Sequence, residues 1–140
     1  LHTNDAPSAV TRLIDIGVKP FLVASSTRAI MAQRLVRKIC DKCKEPYEPK
    51  ESELRLLGPA AKHLAQAQLF HGKGCPDCTF TGYRGRMGIY EIFQIDDQVR
   101  HLIFEKVGAA ELRGRARELG MRTLREDGLR KVVAGLTTLE

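Results

Sequence analysis

Tryptophan is absent from this 140-residue chain, and aromatic residues make up only 6% of it. Platforms that stack bases or sugar rings are therefore poorly supplied. Long apolar runs are missing too. The longest, Pro20 to Ala24, falls far short of the roughly 20 residues that cross a bilayer. No basic-then-apolar leader with a cleavage site opens the sequence, so a secretory signal is unsupported. No G-x-x-x-x-G-K-[ST] occurs, which excludes the usual phosphate cradle from this stretch, and no clear set of acidic magnesium ligands stands in its place. What is present has a globular balance, with 43% apolar and 29% charged residues. Lys and Arg outnumber Asp and Glu by 23 to 17, giving a net charge of +6 and a pI near 9.4. That excess permits anionic partners without identifying one. The first residue is Leu1, and Thr138-Leu139-Glu140 stops in what reads as a helix. The expectation is a piece of a larger protein.

Periodicity suggests an α-rich α/β fragment. Asp5 suits a helix N-cap with Pro7 in the first turn. Val10, Leu13 and Ile14 then share one face, and Gly17 can close the helix. Phe21 to Ile39 reads as further helix, with Ala29, Ala32, Val36 and Ile39 on one side and Arg34, Arg37 and Lys38 near its C-terminus. Ser25, Ser26 or Thr27 offers a cap to restart it. From Cys40 to Pro49 the composition turns to Cys, Pro and charge, which is loop chemistry. Leu54 to Gln68 reads as a short helical hairpin broken at Gly58-Pro59. Leu69 and Phe70 suggest a brief strand, and Arg86 to Phe93 reads as the best strand. Three apolar stripes follow: Val99, Leu102 and Ile103; Leu112, Ala116 and Leu119; Leu129, Val132, Val133 and Leu136. These read as three helices. The expected division is residues 1–39, a cysteine module at 40–80, and a strand with C-terminal helices at 81–140.

All four cysteines fall in two pairs, Cys40-Asp41-Lys42-Cys43 and Cys75-Pro76-Asp77-Cys78, separated by 31 residues. Two intervening residues let one tight knuckle aim both sulfurs at a point. Two knuckles complete a tetrahedron, which suits Zn2+ held by four thiolates in a closed, structural site. Gly74 and Gly82 give the backbone room to fold back. Arg37, Lys38, Lys42, Lys44 and Lys73 lie beside the ligands in sequence and can offset the thiolate charge. Iron is compatible with the same ligands. Two disulfides would need an oxidising compartment, for which nothing here argues. A redox pair is disfavoured because two equal pairs point to shared ligation.

Three further stretches acquire meaning beside the cysteines: Leu1-His2-Thr3-Asn4-Asp5-Ala6-Pro7; Ala32-Gln33-Arg34-Leu35-Val36-Arg37-Lys38-Ile39-Cys40; and Thr81-Gly82-Tyr83-Arg84-Gly85-Arg86-Met87-Gly88-Ile89-Tyr90-Glu91. In this order they closely resemble the C-terminal part of the ATPases of type II secretion and type IV pilus assembly. The resemblance runs through the whole chain. It implies a cytoplasmic, hexameric, RecA-like motor at the bacterial inner membrane, whose ATP hydrolysis drives the assembly of pilin-like subunits by way of platform proteins in that membrane. The phosphate loop and the acidic Mg2+ motif lie upstream in the family, so ATP and Mg2+ belong to the full-length parent. Residues 1–39 would then be the edge of the RecA-like domain. His2 matches the end of the family's histidine box, a sensor of γ-phosphate or conformation. Arg34 matches a signature near the edge of the nucleotide domain, and Arg86 matches the lead into the strand. For these two a nucleotide or intersubunit role stands beside plain solvation. Gly82, Gly85 and Gly88 read as backbone geometry, Tyr83 and Tyr90 as packing, and His63, His71 and His101, which lack metal-pair spacing, as surface or partly buried residues. A zinc ribbon that binds nucleic acid is the alternative. It gains from the basic pI but lacks interleaved aromatics and carries Glu45, Glu48, Glu51 and Glu53 inside the supposed binding module. No specific nucleic acid partner is expected. A catalytic zinc enzyme is a weaker reading, because four Cys ligands leave no position for water.

Overall fold

A computed structural model describes residues 3–57, 64 and 67–139. Its elements are α1 (Pro7–Asp15), α2 (Pro20–Ser26), β1 (Ala29–Ile39), β2 (Lys44–Tyr47), α3 (Glu51–Leu57), β3 (Leu69–Gly72), a 3₁₀ turn (Pro76–Cys78), β4 (Tyr83–Gln94), α4 (Asp97–Phe104), α5 (Ala109–Glu118) and α6 (Leu124–Val133). The fold is mixed α/β. Two units interleave along the chain, Leu1–Arg34 with Tyr90–Arg125, and Leu35–Ile89 with Glu126–Glu140.

In the first unit, Asp5 accepts the Ser8 N–H at 2.8 Å, and Gly17 at φ +98° lets the chain turn after α1. Val10, Val23, Phe93, Val99, Ile103, Leu112 and Ala116 form its buried core. Burying a side chain of that size contributes roughly 1.5–3 kcal/mol, which fixes the apolar faces of α1, α2, α4 and α5 inward. Asp96 caps α4 through the Val99 N–H at 2.7 Å, and Arg115 from α5 reaches the same carboxylate at 2.8 Å.

The expected helix over Phe21 to Ile39 is corrected. Only Pro20–Ser26 is helical, and Ala29–Ile39 is a strand. Thr27 turns extended, at φ −85° and ψ 131°. Ser25 bonds back to the Leu22 carbonyl at 3.4 Å rather than capping a new helix. The same residues fit both periods. Ile30 and Ala32 pack on the first core, whereas Ala29, on the expected apolar stripe, is exposed. Arg34, Arg37 and Lys38 are therefore strand residues. What decides is pairing with β4 in a two-stranded sheet. Arg28 takes the Ile95 N–H at one end of it (3.0 Å), and Gly82 takes the Cys40 N–H at the other (3.0 Å), so the strands run antiparallel.

In the second unit, β2 pairs antiparallel with β3, Lys44 opposite Gly72 through Tyr47 opposite Leu69. Residues 44–47, expected as loop, are thus a short strand. Leu64, Leu69 and Val132 are buried, with Tyr47 and Leu129 against them. The Tyr83 hydroxyl meets the Thr138 hydroxyl at 2.8 Å, and Arg37 lies 4.0 Å over the Tyr83 ring. The expected hairpin is helical at Glu51–Leu57, and its break at Gly58-Pro59 lies outside the described residues. The strand at Leu69, the strand at Arg86 to Phe93 and the first two of the three later helices stand as expected. The third is corrected at its end: it stops at Val133, and Leu136, Thr138 and Leu139, expected as helix, lie beyond it. No helix among the described residues is long and apolar enough to cross a membrane.

Candidate metal centre

The first knuckle begins where β1 ends. Cys40 is fully buried; its N–H is held by Gly82, and its carbonyl takes the Cys43 N–H at 3.3 Å. The second knuckle is built on the 3₁₀ turn, where the Cys78 N–H bonds the Cys75 carbonyl at 3.2 Å. Lys73 donates its N–H to the Cys43 carbonyl at 3.0 Å, so the two knuckles face each other. Glycine makes this possible. Gly74 (φ +96°) and Gly82 (φ +78°) hold left-handed backbone, and a Cβ on Gly82 would collide with the Gly72 carbonyl.

All four sulfurs lie within 4.8 Å of one another. Cys40 and Cys75 are 3.9 Å apart, Cys43 and Cys78 3.8 Å, and Cys75 and Cys78 3.8 Å. A tetrahedral ion with bonds of about 2.3 Å to sulfur requires sulfur–sulfur edges of about 3.8 Å. Three of the six edges therefore already match a zinc-sized, thiophilic ion, and the others are no longer than 4.8 Å. The thiols are free, not disulfide-bonded.

Backbone donors tune the sulfurs. Gly74 gives its N–H to Cys43 at 3.3 Å. Cys75 and Gly82 give theirs to Cys78 at 3.2 and 3.3 Å. Burial alone raises the Cys78 thiol, but these N–H groups override it and bring the pKa down to about 6. At Cys43 burial prevails and pushes the thiol up to about 12, and burial raises Cys75 as well. Cys78 is thus ready to ionise while Cys43 and Cys75 hold their protons. A dication in the middle removes that conflict, because metal binding displaces thiol protons.

Of the remaining expected site residues, Arg34 and Arg86 do not join this cluster. His2 lies outside the described residues, as does His63. Arg34 is exposed on β1, and its guanidinium reaches the Thr3 carbonyl at 3.4 Å. Arg86 is exposed on β4. His71 pairs with Glu45 at 3.1 Å and His101 with Glu105 at 3.2 Å. One polar residue escaped the sequence reading. Glu91 is only 2% exposed, and its carboxylate accepts the Ala6 N–H at 2.7 Å and the Leu124 N–H at 3.3 Å. Its signal was a charge at the inward parity of β4, in step with Phe93.

Folded cysteine knuckles joined to a strand-and-helix body define a class, and the whole sequence agrees with it. Residues 1–140 match the model of the family described as type II/IV secretion system protein, and the chain belongs to that family. It is 48% identical over its full length to type II secretion system protein E of Pseudomonas aeruginosa, covering 27% of that protein. It is 46% identical to the type IV pilus assembly ATPase PilB of Thermus thermophilus, covering all of this chain and 16% of that relative. It is 44% identical to the type II secretion system ATPase E of Vibrio cholerae, again over the whole chain and 27% of the relative. The chain thus spans between about a sixth and a quarter of the length of these relatives.

Proposed function

We propose that this chain is the zinc-bearing C-terminal portion of a cytoplasmic, hexameric, RecA-like ATPase that works against platform proteins of the bacterial inner membrane. The relatives' names divide between protein secretion and pilus assembly, and an ATPase is named on each side. Cys40, Cys43, Cys75 and Cys78 hold the structural Zn2+. The observation that carries this reading is the set of sulfur edges of 3.8–3.9 Å. The ion closes the 31-residue excursion between the knuckles and supplies on the order of 10 kcal/mol of apparent binding free energy. A lobe this small needs such a staple. ATP and Mg2+ bind in the rest of the parent, because the phosphate loop is absent here. Arg34 and Arg86 serve nucleotide or intersubunit contacts there, and His2 completes the histidine box. The metal lobe itself is structural and partner-facing, and the isolated chain does not turn over ATP.

The test uses the full-length parent with Cys40→Ser and Cys43→Ser together. Wild-type protein should carry one zinc per chain. The variant should lose it, retain nucleotide affinity, and lose export or pilus assembly. Full export without metal would refute a mechanical role for the lobe. Loss of ATP binding in step with export would mean the zinc supports the whole fold.

A further inference from the structure

The second knuckle ends in two left-handed residues that are not glycine. Thr79 has φ 50° and Phe80 φ 59°. A bulky residue in this region is disfavoured, and such backbone persists only where its surroundings hold it. Here they do. Thr79, Phe80 and Thr81 give their N–H groups to the carbonyls of Pro76, Cys75 and Cys78 at 3.1, 2.9 and 3.1 Å. The Thr81 hydroxyl adds a bond to the Cys78 carbonyl at 2.6 Å. The Phe80 backbone lies so close to Gly74 that a Cβ there would stand 2.8 Å from its carbonyl oxygen. This fixed loop carries the most exposed large apolar side chain among the described residues, Phe80 at 75%. Two cations lie on the knuckles beside it: Lys73 next to Gly74, whose backbone approaches Phe80, and Lys42 next to Cys43, whose carbonyl takes the Lys73 N–H at 3.0 Å. Asp77 is engaged by Arg84 at 3.6 Å, and neither Lys42 nor Lys73 has an ion pair among the described residues.

Taking the metal centre to be occupied as proposed above, we infer that Phe80 is a docking knob for a partner protein that offers an apolar pocket rimmed by carboxylates. A side chain carried on a backbone fixed before binding loses less entropy on docking, and buried aromatics are the usual anchors of interfaces. The unpaired cations select an acidic rim and hasten encounter. A membrane surface is the poorer match, since one ring buries too little apolar area and gains nothing from a fixed backbone.

The experiment uses the full-length parent in cells, with p-benzoylphenylalanine in place of Phe80. Phe104, exposed at 63% on the other unit, serves as control. Irradiation should yield a cross-link from the first position and not the second, to a peptide that is apolar with flanking Asp or Glu. The purified domain carrying that peptide is then titrated against the parent. Phe80→Ala should weaken binding by about tenfold to a hundredfold, while Phe80→Leu should retain most of it. Lys42→Glu with Lys73→Glu should weaken binding and flatten its salt dependence. Cross-links to phospholipid, to the parent itself or to nothing would overturn the inference, as would a change under about twofold for Phe80→Ala. Zinc content of the same preparations separates the two readings. One zinc per chain without an acidic cross-link sinks the docking knob alone, and absent zinc sinks the metal centre with it.

Discussion

Replacing Glu91 with Ala should cost more stability than any surface change in the first unit. The carboxylate is 2% exposed and receives two backbone N–H groups, from Ala6 just before α1 and from Leu124 at the start of α6. Hydrogen bonds to a charged group contribute about 1.5–3 kcal/mol each, and a buried donor left without a partner costs about 1–3 kcal/mol. Truncation strands both donors and opens a small cavity, so the loss should be about 3–5 kcal/mol. That is a large share of the roughly 5–15 kcal/mol that holds a domain together. Gln at the same site keeps one carbonyl acceptor but points an NH2 at the second donor. It should therefore fall between wild type and Ala, at about 2 kcal/mol. Urea unfolding of the zinc-loaded chain, followed by helical circular dichroism, measures both variants. An unchanged slope with a lowered midpoint would be the signature. A loss below about 1 kcal/mol for Ala would refute the reasoning, since it would mean that water serves both N–H groups equally well.

Asp96 should make stability depend on acid. The Val99 N–H first, and Arg115 next, hold its carboxyl below its ordinary value of 3.8. The folded state therefore favours the ionised form, and its contribution is complete above the ordinary value and lost as pH falls through the lowered one. Comparing wild type with Asp96→Asn, which keeps a cap but does not titrate, should give a stability difference that shrinks below about pH 4; a difference independent of pH would contradict this. Asp96→Ala should cost about 1 kcal/mol at neutral pH through the lost cap. At the knuckles, Gly82→Ala should abolish tight zinc binding, because its Cβ meets the Gly72 backbone. Gly85→Ala, at φ +77° with nothing within 4 Å, should cost only about 1–2 kcal/mol of conformational strain and leave zinc in place. Equal zinc affinity in the two variants, read by competition with a chromogenic chelator, would show that the close approach does not matter.

Legibility in the sequence follows the range of the interaction that decides each element. The four cysteines are readable because spacing alone aims each pair. Asp5 and Gly17 around α1 are readable for the same reason, as caps act within a turn. Residues 29–39 are not. Ala29, Met31, Ala32, Gln33, Arg34, Leu35 and Lys38 are strong helix formers, and only pairing with β4, about fifty residues away, makes them a strand. Lys44–Tyr47 reads as loop because Pro46 breaks a strand. Its partner Phe70 becomes available only once the knuckles hold residues 43 and 73 together.

The two polar or strained sites that matter most differ in the same way. Glu91 is findable, because a carboxylate in step with Phe93 along a strand must face inward and find donors there. Phe80 is not. Nothing local favours a left-handed phenylalanine, and its conformation follows from carbonyls that the cysteine turn happens to present. The turn that gathers Cys75 and Cys78 is also the turn that fixes Phe80, since the Cys75 carbonyl takes the N–H groups of both Cys78 and Phe80. Loss of the metal should therefore release the knob before it disturbs the helices of the first unit. Hydrogen exchange on zinc-loaded and chelator-treated protein would show that order as faster exchange at Cys78 to Thr81, with α1, α4 and α5 unchanged. Simultaneous exposure of all of them would mean that the ion supports the entire fold and that the coupling between metal and knob is not local.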